Sequence, residues 1–557
     1  MGNVQAGFSR RLLIIIGGIS MFPLNRTTSK ECRMPVSKGK YELLKNGLDF
    51  GLALAAILFT LVLWLCTRPG VFYSGDAGLK FLMTAQFASG SLHPDLRLSA
   101  PYWVQALWGS GLYPFESPYV YALANSVYIQ YPLWFSVVSV PGFVLAGYTG
   151  LYFLPLLGFW VVVICMVWTC RKLGLSPQVR CLAIVALAFG SPLPLYSAMF
   201  WEHTVGVSLA FSGFAWLVTS DSANSSGSRG LLAGLSVGFA AWFRSELGLF
   251  AIIILALAWT VGRVVLDRDT KRSFTIGVIV ALGALMTTNL LLYGHVLGLH
   301  GVQVGFDVGR RISGALVVLS RLFVLASLHF PLFFCVLGMG WYASAFHANA
   351  ITPRVALLLL SAAIFALFVP FVLPGPEMAG HGGKQWGPRF LLITVPLLCV
   401  GGAVVSQSLW RRAGKFTRVV LFILCTVGLA IGFAQNVVSG FMDLKEDYSG
   451  RVSPALMVVQ SSRYELVAVS NQFIAQELAS AMGKKSFVLA RNGIELDAII
   501  TAAARAGAGG LSFLSDSNVR IPGARLAEAG SQQCVANISL LGVYGSYAVH
   551  EVAISCR

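Results

Sequence analysis

Charge is scarce in this chain. Only 11% of its 557 residues are Asp, Glu, Lys or Arg, against 56% hydrophobic, and the mean hydropathy is +0.74. Soluble domains carry about a quarter charged residues, so a soluble globular protein is excluded. Acidic residues are the rarer sign, 23 against 40 Lys and Arg. The resulting excess of +17 does not imply a nucleic-acid partner, because the basic residues sit in short connectors between apolar runs, where they orient helices against the membrane. Ten cysteines occur without C-x-x-C spacing, which argues against a zinc or redox site. Only Cys534 and Cys556 fall in the polar C-terminal part, and they are candidates for one disulfide. No internal repeat is visible, which weakens a secondary-transporter reading. The apolar run 12–24 after Arg10-Arg11 lacks a small-residue cleavage site and is too short to span a bilayer. Residues 1–46 read as a cytoplasmic tail.

What is present is a series of apolar runs at 48–66, 150–170, 181–199, 205–218, 230–243, 247–265, 274–293, 330–346, 355–373, 390–405 and 419–438, several near the roughly 20 residues that cross a bilayer. Lys38, Lys40 and Lys45 precede the first run. Under strict alternation Arg171, Lys172, Arg180, Arg229, Arg263, Arg268, Lys271, Arg272, Arg354, Arg411, Arg412, Lys415 and Arg418 share their side, which is therefore cytoplasmic. The stretches 132–148 and 312–328, one Pro-broken and one carrying Arg321, read as amphipathic or re-entrant segments at the outer interface. Counting both as spans would give thirteen. From residue 439 the polarity is ordinary, with a helix-like 471–482, a strand-like 486–490, an Asn492-Gly493 turn and a helix-like 496–504, the pattern of a small α/β domain.

The polar residues worth naming gather on the opposite, outer face. Ser74-Gly75-Asp76 and Lys80 head the loop 67–149, which also holds His93, Asp95, Arg97 and Glu116. Trp201-Glu202-His203, Arg244 with Glu246, Asp307 with Arg310 and Arg311, and the stretch from His381 through Lys384, Gln385 and Trp386 to Arg389 follow. A hydroxyl acceptor is a poor nucleophile near neutral pH and needs a base within hydrogen-bond reach. A polyprenyl-phosphate leaving group needs fixed cations near the bilayer surface. Asp76 suits the first role; Arg389, Lys384 and Arg244 suit the second. Blander readings stand beside these. Asp76 could cap the helix that follows it, Trp201 could belong to an interfacial aromatic belt, and Glu202 and His203 could satisfy each other. Arg244 and Glu246 could pair across a break at Ser245, and Lys384 and Arg389 could anchor lipid headgroups. His93, Asp95 and Arg97 read as a solvated turn around Pro94.

A first span ending in an acidic motif, a Pro-Leu-Trp stretch before the second span and a glycine-rich outer loop closing on Trp386-Gly387-Pro388-Arg389 resemble the GT-C superfamily of membrane glycosyltransferases. The likeness is to its protein O-mannosyltransferase and aminoarabinose-transferase type, over roughly 48–438. It implies an all-α polytopic membrane protein of about eleven transmembrane helices at 47–438, with a small extracytoplasmic α/β domain at 439–557. It also implies inverting transfer from a polyprenyl-phosphate sugar to a hydroxyl of a glycan, lipid or protein at the outer side of a bacterial inner membrane, with Asp76 as base. The chain departs from the usual Asp-Glu pair, having Gly75-Asp76-Ala77. A metal requirement is therefore open, no cofactor is expected, and Glu202 and Glu116 are the substitute second carboxylates. The expected site comprises Asp76, Glu202 and His203 as catalytic residues and Lys384, Arg389 and Arg244 on the donor phosphate. Lys80, Glu116, Trp201, His381, Gln385 and Trp386 complete it on the substrate. The competing functions are a transporter or lipid flippase, or a non-catalytic assembly protein.

Overall fold

Backbone polar groups in hydrocarbon must be satisfied within their own segment, and each of the eleven apolar runs falls on helix in the computed structural model. The structure describes residues 40–123, 126–220, 227–299, 308–347, 351–373, 385–516, 525–529 and 532–556. Among the expectations, the tail up to residue 39, Asp307, His381 and Lys384 lie outside the described residues. Seven helices are long and apolar enough to cross a membrane: Gly47–Leu65, Leu133–Gly150, Phe153–Lys172, Arg268–Tyr293, Ile312–His329, Pro353–Val372 and Lys415–Ser461. The other expected runs lie on Pro177–Phe189, His203–Thr219, Gly227–Phe243, Glu246–Trp259, Leu332–Phe346 and Thr394–Arg412. This is a multi-pass membrane protein.

Two of the seven are the stretches set aside as interfacial. Leu133–Gly150 is not one rod, because it contains Pro141 and leaves helical geometry at Ala146 and Gly147. A Cβ placed on Gly142 would lie 2.5 Å from the Gly150 carbonyl oxygen, so the chain doubles back there. The straight part, about 13 residues, covers about 20 Å at 1.5 Å per residue, short of the roughly 30 Å of hydrocarbon. The helix Val308–His329 ends with His329 against Trp386, and Arg268–Tyr293 before it ends with Tyr293 against Tyr128 of the first loop. Both ends therefore lie on one face.

Ion pairs mark the two faces. On one, Asp49 at the start of the first span takes Arg171 at 2.9 Å and Arg180 at 2.8 Å. On the other lie the acidic and cationic side chains described below, together with the loop hairpin β1 (Val120–Leu123) and β2 (Ser126–Ile129).

The last apolar helix continues through Ala434–Ser439, Gly440–Glu446 and Asp447–Arg451 before the chain enters the C-terminal sheet. Its strands are β3 Leu466–Val469, β4 Ser486–Leu489, β5 Gly510–Asp516, β6 Arg525–Ala529, β7 Gln532–Tyr544 and β8 Tyr547–Cys556, in the order β4-β3-β5-β8-β7-β6. The first three are parallel and the rest antiparallel. Cys534 and Cys556 form a disulfide between β7 and β8. Asn492-Gly493, expected as a turn, is a helix start: Asn492 Oδ1 accepts from the Glu495 amide at the head of Gly493–Arg505. A side chain that satisfies an orphan amide this way competes with a turn for the same residue.

This domain is docked on the loop 67–149 after the first span. The helix Gly75–Ala88 meets Gln472–Glu477 so closely that a Cβ on Gly78 would lie 1.8 Å from the Gln476 carbonyl oxygen, and one on Gly75 would lie 2.3 Å from Gln476 Oε1. The Gln472 side chain accepts from the Glu116 amide, Trp108 donates to the Phe487 carbonyl, and Ser480 donates to the Gly70 carbonyl. Because the obstacle at Gly78 is backbone, Gly78→Ala should cost about 1–3 kcal/mol, the usual range for overpacking. A lowered thermal midpoint together with faster protease release of a fragment near residue 466 checks this; an unchanged midpoint would contradict it.

Candidate active site

Asp76 sits in the first turn of Gly75–Ala88, whose N-cap position is held by Ser74, and the helix N-terminus favours its charge. Its Oδ1 accepts from the Tyr131 hydroxyl at 2.5 Å, and its Oδ2 faces Arg389 Nη1 at 3.4 Å. Capping does not explain this residue; pairing across 313 positions of sequence does. Burial first, then the Asp76 charge and hydrogen bond, push the Tyr131 phenol well above its ordinary value, so it stays protonated and donates. Burial and the Asp76 charge likewise push Tyr119 up to about 12.

Four residues after Asp76, Lys80 lies on the same helical face and is 1% exposed. Its ammonium meets Glu202 Oε2 at 2.5 Å and lies over the Tyr131 ring at 4.5 Å. Burial lowers its affinity for a proton, and the charges of Glu202 and Asp76 oppose that. Glu202, fully buried, also takes Arg244 Nη1 at 3.0 Å, and Arg244 reaches Glu246 at 2.7 Å. The break between Gly227–Phe243 and Glu246–Trp259 is what lets Arg244 and Glu246 meet. Helical continuity would have kept residues two apart on different faces.

His203 does not pair with Glu202. Both its ring nitrogens are buried without a partner, and the ring stacks between Trp201 and Tyr196 at 5.0 and 4.9 Å. Trp201 is fully buried, which removes it from any lipid-facing belt; it packs on Tyr73 and Tyr196 and beneath Lys80. His203, Arg244, Glu246, Arg389 and Phe390 line a cavity of about 10 Å³, on the order of one water. Arg389 lies over Phe390 and has its Nε buried without a partner.

The Trp-Gly-Pro-Arg turn is held by its own contacts. Trp386 donates to Asn436 at 3.1 Å, and its carbonyl accepts from the Tyr196 hydroxyl. Gly387 has φ +62, and a Cβ there would lie 3.0 Å from the His329 ring, so the position needs glycine. Gln385 directly precedes this turn. Glu116 is elsewhere: Arg491 of the C-terminal domain takes its carboxylate at 2.8 Å, and it is 41% exposed. His93, Asp95 and Arg97 form a turn of their own, with Arg97 on Asp95 at 3.0 Å. Tyr131, Tyr196 and Asn436 were not anticipated. The adjacency of Tyr131 to the Pro-Leu-Trp stretch was the one available signal.

No protein-family profile matches the chain, and no curated protein sequence matches it. Solved structures do. ArnT from Cupriavidus metallidurans bound to undecaprenyl phosphate superposes with a TM-score of 0.50 at 12% identity, covering 90% of this chain and 98% of that one. Its apo form gives 0.51 at 11% identity. The Archaeoglobus fulgidus oligosaccharyltransferase in its apo form gives 0.51 at 13% identity, over 84% of this chain and 69% of that one. The fold is the GT-C fold. Its membrane helices bring Asp76, Lys80, Glu202, Arg244 and Arg389 from four separate chain regions to one face.

Among the described residues no group of three or more His, Cys, Asp or Glu is placed to hold a metal ion. Asp76 and Glu202 are each engaged by a cation, and no step is derived through a metal. Removing one partner of a buried ion pair leaves the other uncompensated, at about 3–5 kcal/mol. Glu202→Gln should therefore lower the thermal midpoint strongly, and Lys80→Met added to it should recover part of the loss. A double variant no more stable than the single one would contradict the pairing.

Proposed function

We propose that this protein is an inverting glycosyltransferase. It moves a sugar from a polyprenyl-phosphate donor to a hydroxyl of a glycan, lipid or protein, at the outer face of a bacterial inner membrane. The observation that carries the proposal is the meeting of Asp76 and Arg389, a buried acid and a buried cation 313 residues apart in sequence, beside a cavity that Arg389 itself lines. The likeness to ArnT, whose bound ligand is undecaprenyl phosphate, supports the donor class. The orientation follows the Lys and Arg excess and eleven crossings, with both interfacial segments on the side of the site.

The chemistry follows from the arrangement. The acceptor oxygen attacks the anomeric carbon on the face opposite the phosphate, and the bond from that carbon to the phosphate oxygen breaks. The acceptor proton passes to Asp76. The sugar leaves as an inverted glycoside, and the polyprenyl phosphate keeps the electron pair of the broken bond. Charge grows on that phosphate, where Arg389 has an unpartnered Nε–H to offer in a water-poor site. Arg244 is shared between two glutamates, so its part is to hold Glu202, and through it Lys80, near the donor. The Tyr131 hydroxyl keeps the Asp76 carboxylate oriented until the acceptor displaces it.

The test incubates purified protein with a panel of polyprenyl-phosphate sugars and follows release of lipid phosphate. With the sugar that turns over, Asp76→Asn should lose about 10²–10⁴-fold, the usual share of a general base. Arg389→Gln should lose about 10²–10³-fold, in the range of a lost charge-stabilising donor. Full turnover by Asp76→Asn would remove Asp76 from the chemistry.

A further inference from the structure

A cavity lies on the face away from Asp76. It holds about 620 Å³ and is lined by Lys172, Leu173, Val264, Val265, Leu266, Asp267, Thr352 and Arg354. Lys172 ends the helix Phe153–Lys172, whose other end, at Tyr152, lies beside Tyr448 and the site face. Asp267 and Thr352 are the N-caps of Arg268–Tyr293 and Pro353–Val372, so two long helices turn their N-termini toward this region. The transferase chemistry uses none of these residues.

The lining carries more cations than acids. Two cations, Lys172 and Arg354, come from different helices; the two helix N-termini are capped by Asp267 and Thr352 themselves. The one acid, Asp267, accepts from the Thr270 amide at 2.8 Å and the Thr270 hydroxyl at 2.6 Å and keeps its charge, leaving two cations against one anion. Arg354 donates to the Ser220 carbonyl at 3.0 Å, which fixes its guanidinium in place. The rest of the wall is Leu173, Val264, Val265 and Leu266, and Val264 is 70% exposed. Cationic and apolar side chains lining one cavity at a helix-end level are the form of a pocket for a lipid headgroup between transmembrane helices.

We propose that this pocket binds the phosphate diester of an anionic phospholipid of the cytoplasmic leaflet, with Lys172 and Arg354 on the phosphate and the valine side chains against the acyl chains. The leaflet assignment rests on the orientation proposed above; the binding does not depend on the transferase reading. A soluble organophosphate shares the phosphate chemistry but would leave the apolar lining without use, which is why a lipid is the occupant assigned.

The full-length protein in phosphatidylcholine nanodiscs, with and without phosphatidylglycerol, provides the test. The thermal midpoint of the wild type should rise with phosphatidylglycerol. Lys172→Ala/Arg354→Gln should lose most of that rise while keeping the wild-type midpoint in phosphatidylcholine alone. Should the double variant fail to fold, native mass spectrometry of the wild type replaces it: phosphatidylglycerol should be retained at least ten-fold over phosphatidylcholine at equal supply. An equal rise in variant and wild type, no rise in the wild type, or equal retention of the two lipids would each overturn the proposal. So would glycerol phosphate in solution raising the wild-type midpoint as far as the lipid does. Because the readout is stability and retention, an inactive transferase leaves the result intact.

Discussion

Lys80 and Glu202 are 122 residues apart in sequence and meet where neither is solvated, at 1% and 0% exposure. A lone buried charge is too costly to survive in such a place. The helix Gly75–Ala88, the start of His203–Thr219 and the junction at Arg244 therefore have one arrangement in which all charges are compensated. Asp76 and Arg389 extend the same constraint to the loop before Thr394–Arg412. The ends of the membrane helices on the site face are thus placed by charge pairing more than by apolar packing, which is non-directional.

That arrangement is also what makes the site capable of chemistry. Asp76 is held by a phenol and a guanidinium and not by a tight bidentate clamp, so a substrate hydroxyl and a phosphate can replace those contacts. The C-terminal domain closes the structure from above. It presses Gln476 against the glycines on either side of Asp76, and the helix that enters it supplies Asp443 to Tyr73 at 2.8 Å and Tyr448 to the Ala198 carbonyl at 2.9 Å. Glycine in Ser74-Gly75-Asp76-Ala77-Gly78 thus serves the approach of this domain. Residues 46–557 accordingly behave as one compact unit. On the opposite face Asp49 with Arg171 and Arg180 fixes the first span against the second, and the cationic pocket lies beyond it.

Much of this was legible from residues alone. Composition and the spacing of apolar runs located helices, five of which are long and apolar enough to cross a membrane, because helix is the one open-ended structure that satisfies its backbone in lipid. The acid, its neighbouring Lys80 and the Trp-Gly-Pro-Arg turn stood out as polar groups in an apolar chain. Partner choice was not legible. Nothing in the local sequence says that Glu202 takes Lys80 and Arg244 in preference to His203, or that Glu116 leaves the site for Arg491, since these depend on contacts between distant segments. In the C-terminal domain β4 and the helix after Asn492 were readable from their apolar pattern. The strand β5, buried along most of its length, lacks the alternation that marks a half-exposed strand.

The account rests on Arg389, which meets Asp76 and lines the cavity beside it, receiving the donor phosphate. The most direct measurement is an experimental structure of the protein with a polyprenyl phosphate bound. The account predicts the phosphate within hydrogen-bond distance, about 3 Å, of the Arg389 guanidinium, with the Asp76 carboxylate turned toward the space that the acceptor would fill. A phosphate seated elsewhere, with Arg389 still on Asp76 and the cavity beside His203 closed, would contradict it.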